Sequence, residues 1–132
     1  MSVARRIAGL LEIAAEDARG AATLAREKNR NSAYLCQQAA EKLMKAVLLD
    51  HGIEAGTEHH LDVLVSRLPD GHPWKARLRT LDAYTPYATA YRYPGSGGRV
   101  PAARDAKQVA TDAALILQWI AEAQRELGKH GG

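Results

Sequence analysis

From residue 3 to 25 the apolar positions Val3, Ile7, Leu10, Leu11, Ala14, Ala18, Ala21 and Ala25 recur at intervals of three and four, while Arg5, Glu12, Glu16 and Arg19 fall elsewhere. That period predicts a long amphipathic helix. Asn29, Arg30 and Asn31 interrupt it, and Asn31 is a suitable N-cap for a second helix running to about His51, with Gly52 as its stop. The first two helices are expected to form a hairpin. His60 to Leu68 carries Leu61, Leu64, Val65 and Leu68 at helical spacing before a Pro69-Asp70-Gly71 turn, which predicts a short third helix. Pro73 suits the first turn of a fourth, with Trp74, Leu78 and Leu81 on one face, and Pro86 is expected to end or kink it. Tyr84 to Tyr93 then reads as a bent connection and Gly95-Ser96-Gly97-Gly98 as the most flexible segment. Pro101 suits the start of a final helix through about Leu127, with the stripe Val109, Ala113, Ile116, Ile120, Ala123 and Leu127. The pattern holds no internal repeat and no strand alternation. The expectation is an all-α fold, an up-and-down helical bundle of four main helices plus one short helix, with residues 1–132 as a single domain.

Composition supports that reading. Ala accounts for 25 of 132 residues, aromatics are 5% and Phe is absent, which suits closely packed helices better than a sheet sandwich. Eighteen cations, twelve of them Arg, against fifteen acids give a net charge of +3, and the charges are mostly interspersed. The excess permits contact with nucleic acid or an acidic partner without marking a dedicated basic stripe. Cys36 is the single cysteine, so no internal disulfide forms, and the first residues lead into Glu12, Glu16 and Asp17 instead of an apolar signal core. A cytoplasmic protein is expected. No run approaches the roughly 20 apolar residues a membrane span needs.

On the second helix Leu35, Ala39, Ala40, Leu43, Ala46 and Val47 form a broad apolar arc. Opposite it, Tyr34, Gln38, Glu41 and Lys45 follow one another at four, three and four residues as a polar stripe. Glu41 and Lys45 have the favourable i,i+4 orientation, worth only about 0.2–0.5 kcal/mol on an open helix. The stripe reads either as a solvated or helix-contacting face or as a ligand surface.

The run from Tyr34 to Ala46, Tyr-Leu-Cys-Gln-Gln-Ala-Ala-Glu-Lys-Leu-Met-Lys-Ala, resembles the second-helix signature of HEPN domains. His59-His60-Leu61-Asp62-Val63-Leu64 resembles that family's His-x-Leu-x-x-Leu, and Arg92-Tyr93-Pro94 resembles the Arg-Tyr-Pro that follows its fourth helix. All three occur in the family's order. The resemblance implies a bundle of four main helices and a short one, a tendency to homodimerise, and pairing with a separately encoded minimal nucleotidyltransferase in a toxin-antitoxin-like system. The ordered polar stripe, together with the tyrosines gathered around Arg92, points to a surface for a nucleotide or RNA made of Tyr34, Gln38, Glu41, Lys45, His59, Arg92 and Tyr93.

Catalytic HEPN members resemble one another in an Arg followed, after four to six residues, by a His, which together can act on a phosphodiester without metal. Arg67 to His72 and Arg125 to His130 have that spacing. About 1.4 matches are expected by chance from this composition, so two carry no information. The first crosses the Pro69-Asp70-Gly71 turn and the second runs into a Gly-rich tail. Arg92, the family-like arginine, has no histidine within the next seven residues. No catalytic residue is assigned, and a binding protein is expected ahead of two alternatives, a metal-independent ribonuclease using His59 or His72 with an arginine supplied across the bundle or dimer, and a purely structural dimerisation adaptor.

Four of the five tyrosines, Tyr84, Tyr87, Tyr91 and Tyr93, cluster beside Arg92. They can stack on bases, or they can close the end of the bundle. Gly95-Ser96-Gly97-Gly98-Arg99 lacks the Gly-Lys-Ser/Thr ending of a phosphate-binding loop. His59 and His60 are adjacent and no His/Cys array completes them, so neither a metal nor a cofactor is expected. Cys36, at the apolar edge of the second helix, reads as a buried, inert thiol.

Overall fold

The computed structural model describes residues 2–89 and 91–129. Ser2 accepts the Arg5 backbone N–H at 3.1 Å and so caps α1, Val3–Arg26. At its far end Asn29 N–H reaches the Leu24 carbonyl and Lys28 N–H the Ala25 carbonyl, a Schellman closure that puts Lys28 in the left-handed region at φ 57°. The chain then turns back into α2, Asn31–Asp50. Asn29, not Asn31, supplies the turn's side-chain acceptor, its Oδ1 taking the Asn31 N–H at 2.9 Å, while Arg30 occupies the N-cap position with helical backbone. The predicted cap was two residues late because the turn needs its acceptor before the first free N–H.

Alanine lets α1 and α2 approach closely. Ala14, Ala18, Ala21 and Ala25 of α1 and Ala33, Ala39, Ala40 and Ala46 of α2 share one buried core, and a Cβ on Gly20 would stand 3.0 Å from the Leu35 Cδ1. Gly52, at φ 83°, closes α2 as predicted, with Ile53 N–H on the Leu48 carbonyl at 2.8 Å. After an extended strap come α3, Leu61–Ser66, and α4, Lys75–Arg79.

The fourth main helix is realised in two pieces. α4 gives way to a 3-10 helix over Asp82–Ala88 that contains Pro86, so the absent proline N–H is absorbed by a tighter winding instead of ending the helix. Trp74, Leu78, Leu81 and Tyr84 are all buried along this broken element. The Gly95–Gly98 stretch is a tight turn, Gly95 N–H meeting the Arg99 carbonyl at 2.6 Å with Gly97 at φ 74°.

The last helix, α5, spans Ala106–Glu126 and starts later than Pro101, because Asp105 caps it by accepting Gln108 N–H at 3.1 Å. Val109, Ala113, Ile116, Ile120 and Ala123 are buried as predicted. α2 is the central element, touching α1, α3, α5 and the 3-10 helix. No strand occurs among the described residues. None of their helices is long and apolar enough to cross a membrane.

Candidate functional site

The polar stripe of α2 is largely inside the protein. Gln37, fully buried, donates through Nε2 to Glu41 Oε1 at 3.0 Å and to the His59 carbonyl at 3.3 Å, while its Oε1 accepts from Gln38 Nε2 at 2.7 Å. Every polar group of that amide is therefore used. Lys42 Nζ donates to Gln38 Oε1 at 3.1 Å and to Asp17 Oδ2 of α1 at 2.7 Å. Lys45 Nζ pairs with Glu41 Oε2 at 3.1 Å and reaches the Gly56 carbonyl at 3.4 Å. The result is a continuous network from α1, across α2, to the strap of residues 52–60.

Glu41 is the hub of that network at 5% exposure. Burial pushes its carboxyl up, but hydrogen bonds from Gln37, Lys45 and His59, together with the Lys45 charge, outweigh it and hold the group below the usual carboxylate range. His59 Nδ1 lies 3.3 Å from Glu41 Oε2, and because a carboxylate only accepts, that nitrogen carries the proton. The His59 side chain remains 63% exposed. Beside it, Glu58 is lowered to about 2 by hydrogen bonds from the His60 ring and from the His60 and His59 backbone, and the same contact raises His60.

At the other end of the stripe the Arg92 guanidinium lies 4.1 Å above the Tyr34 ring. Tyr87 and Tyr91 stack at 4.7 Å and 22°, and Arg30 donates to the Tyr91 carbonyl at 3.2 Å and the Pro101 carbonyl at 2.7 Å. The recess among Arg30, Tyr34, Tyr87, Tyr91 and Arg92 measures about 10 Å³, the room of a single water, so a larger ligand would lie over it. Tyr93 points away from the bundle at 69% exposure.

The seven candidate residues thus fall into two groups. Gln38, Glu41, Lys45 and His59 share one network; Tyr34 and Arg92 form the second, with Tyr93 next to them in the chain. Seven residues of helix, about 10 Å of rise, separate Tyr34 from Glu41.

Of the two spaced Arg–His pairs, Arg67 turns to the Ala55 carbonyl at 3.2 Å whereas His72 faces His51 at 5.1 Å between ring centroids. The pair from Arg125 to His130 extends beyond the described residues. Cys36 is fully buried and its thiol is pushed up to about 12, chiefly by burial. Behind it Tyr84 donates to Asp112 and lies under the Arg104 guanidinium at 4.7 Å, tying the 3-10 helix to α5. No cluster of three or more His, Cys, Asp or Glu suited to a metal occurs among the described residues.

Spacing alone passed over three of these residues. Gln37 sits one position off the stripe, and only its i,i+4 relation to Glu41 signals a role. Arg30 and Lys42 act on partners 25 to 71 residues away, for which a single helix carries no signal.

Comparison with known proteins gives one positive result: the sequence model of the HEPN domain matches residues 7–124. Neither the curated proteins nor the solved structures gave a match. That match runs from the first buried turn of α1 to the last of α5 and takes in the α2 network, the strap and the Arg92 surface. The chain belongs to the HEPN domain family.

Proposed function

We propose that this HEPN protein works by binding: a nucleotide or a single-stranded RNA docks over Arg92 and Tyr93, with Tyr34 behind them, while Gln38, Glu41, Lys45 and His59 hold the flank of that surface. The observation that carries this reading is the exposed Arg92 guanidinium, set by the Tyr34 ring at 4.1 Å. A guanidinium held from one side is oriented for a phosphate or for the face of a base. Charge supports it. Residues 83–104 contain no acid, three arginines and four tyrosines, so this segment holds the whole net charge of +3 and the rest of the chain balances 15 cations against 15 acids.

Membership brings a HEPN-family function, in a family whose members are often ribonucleases or toxin-antitoxin components. Within that range we assign this protein the binding role, as a cytoplasmic homodimer and one half of a two-component system with a minimal nucleotidyltransferase.

A metal-independent ribonuclease is the second reading. It draws on His59, whose exposed ring is oriented by a buried carboxylate, as a general acid or base would be.

Labelled single-stranded RNA incubated with the protein, with and without a chelator, separates the readings in one gel. Binding predicts a mobility shift with intact RNA, weakened about tenfold in Arg92→Ala by loss of a charge-assisted contact. Chelator-resistant cleavage abolished in His59→Ala would replace this reading with the ribonuclease. No shift with RNA or nucleotides, together with an unaltered dimer, would leave the structural adaptor.

A further inference from the structure

A cleft of about 620 Å³ lies where the end of α2 meets the turn between α3 and α4. Sixteen residues of α2, about 24 Å, separate it from Tyr34. Its walls carry Asp50 and His51 at the end of α2, His72 and Trp74 from the turn, and Glu126 and Leu127 at the end of α5. His72 Nδ1 accepts the Trp74 backbone N–H at 3.1 Å. This i to i+2 bond has the form of an Asx turn, with an imidazole nitrogen in place of the usual side-chain oxygen. Trp74 stands at the N-cap position of α4 with its ring buried, so the bond fixes the entry into that helix.

An imidazole accepts at Nδ1 only if its proton is on Nε2 and the ring is neutral. The same tautomer leaves Nε2 without a lone pair, which disqualifies this histidine as a metal ligand while the turn is closed. The His51 ring meets it nearly edge to face, at 5.1 Å and 79°.

We propose that His72 is an acid-sensitive latch: the neutral ring holds the Trp74 N–H and keeps the α3–α4 turn closed against α2, and protonation sets N–H against N–H and releases the turn.

The charged groups around it come from every neighbouring element. Asp50 of α2, whose Oδ1 accepts the Gly128 N–H at 2.9 Å, favours a charged ring and His51, just past the end of α2, opposes it, while Glu126 of α5 lines the same cleft. On the turn itself Asp70 is paired with Lys75 at 2.9 Å, and Lys75 also donates to the Leu68 carbonyl at 2.6 Å. Burial first, and His51 second, hold His72 below its ordinary value of 6.5 against the pull of Asp50. A histidine depressed in the folded state gives stability that is present above 6.5 and lost as pH falls through its folded value, so the latch opens on mild acidification.

Two-dimensional NMR of the full chain between about pH 7.5 and pH 4.5 tests this directly. The expected result is a His72 ring titration with a midpoint below 6.5 and a Trp74 amide shift with the same midpoint. The protection of that amide, its exchange rate taken relative to an unprotected amide at the same pH, should fall about tenfold on the acid side, as loss of one hydrogen bond implies. His72→Asn offers an oxygen in the same i to i+2 geometry and does not titrate, so its Trp74 amide should stay fixed throughout. His51→Ala should move the His72 midpoint up toward the ordinary value. A Trp74 amide that stays still while His72 titrates, or one that follows the same transition in His72→Asn, overturns the proposal. Should His72→Asn fail to fold, coincidence of the two midpoints in the unsubstituted protein still decides it.

Discussion

A carboxylate at 5% exposure keeps its charge only because donors converge on it, and around Glu41 these are Gln37, Lys45 and His59. Glu41→Ala removes the shared acceptor and strands a Lys45 ammonium whose side chain is 16% exposed and an amide that is fully buried. The expected loss is about 2–3 kcal/mol of unfolding free energy, read from urea denaturation at pH 7. A loss below about 0.5 kcal/mol would mean that water replaces the carboxylate and that the network is a surface feature. Acid dependence follows from the same geometry. Because Glu41 is lowered in the folded protein, its contribution is complete above the ordinary glutamate value of 4.5 and disappears as pH falls through its folded value. Lys45→Met removes the cation and leaves burial, the largest influence, opposed by neutral donors and His59 alone. The carboxyl should then rise, and the acid loss of stability should begin at higher pH than in the unsubstituted protein. An unchanged acid limb of the stability curve would show that Lys45 does not set the charge of Glu41.

At the scale of elements, Lys28 occupies a position whose backbone favours glycine. It is the only non-glycine residue with positive φ among those described, and it sits in a Schellman closure whose counterpart at the end of α2 uses Gly52. Lys28→Gly should therefore raise stability, by about 1 kcal/mol, whereas Lys28→Ala should give no gain, the two being compared by thermal unfolding. Equal effects of the two changes would show that the loop, not the left-handed backbone, carries the strain. The long helices were legible in the sequence because α1 and α5 each bury one stripe, and the three-and-four spacing of that stripe is independent of the partner. The broken fourth helix was less so. Pro86 forbids an α-helical hydrogen bond, but whether the chain stops or tightens depends on Leu81 and Tyr84 finding the core, which only packing decides. The candidate site divides in the same way. The Gln38-Glu41-Lys45 spacing marked the α2 part of the network and Tyr34 fell outside it, yet the strap of residues 52–60 that meets the network through the His59 and Gly56 carbonyls is a long-range contact with no trace in the periodicity of α2.

For the whole molecule, the distribution of charge decides what a polyanion would feel. Arg104 is engaged internally, over Tyr84 and 3.8 Å from Asp112, so of the three arginines in the acid-free segment Arg92 and Arg99 are exposed to a ligand. Two phosphate contacts on a single strand imply a slope of about −1.4 in log K against log salt concentration, at about 0.7 per contact. Arg92→Ala and Arg99→Ala should each reduce that slope by about 0.7, and Tyr93→Ala should weaken binding with the slope unchanged, because stacking releases no counterions. Fluorescence anisotropy with a short labelled RNA at several salt concentrations reads all three. A steep slope that neither arginine alters would move the interface to another face of the bundle, and a slope near zero with retained affinity would mark the ligand as a small molecule recognised by its base. The two arginines lie on a segment anchored by Arg30 through the Tyr91 and Pro101 carbonyls, so Arg30→Ala should weaken binding without touching phosphate. Its signature is a lower affinity at an unchanged slope, because the anchored loop loses its ordering while both phosphate contacts remain.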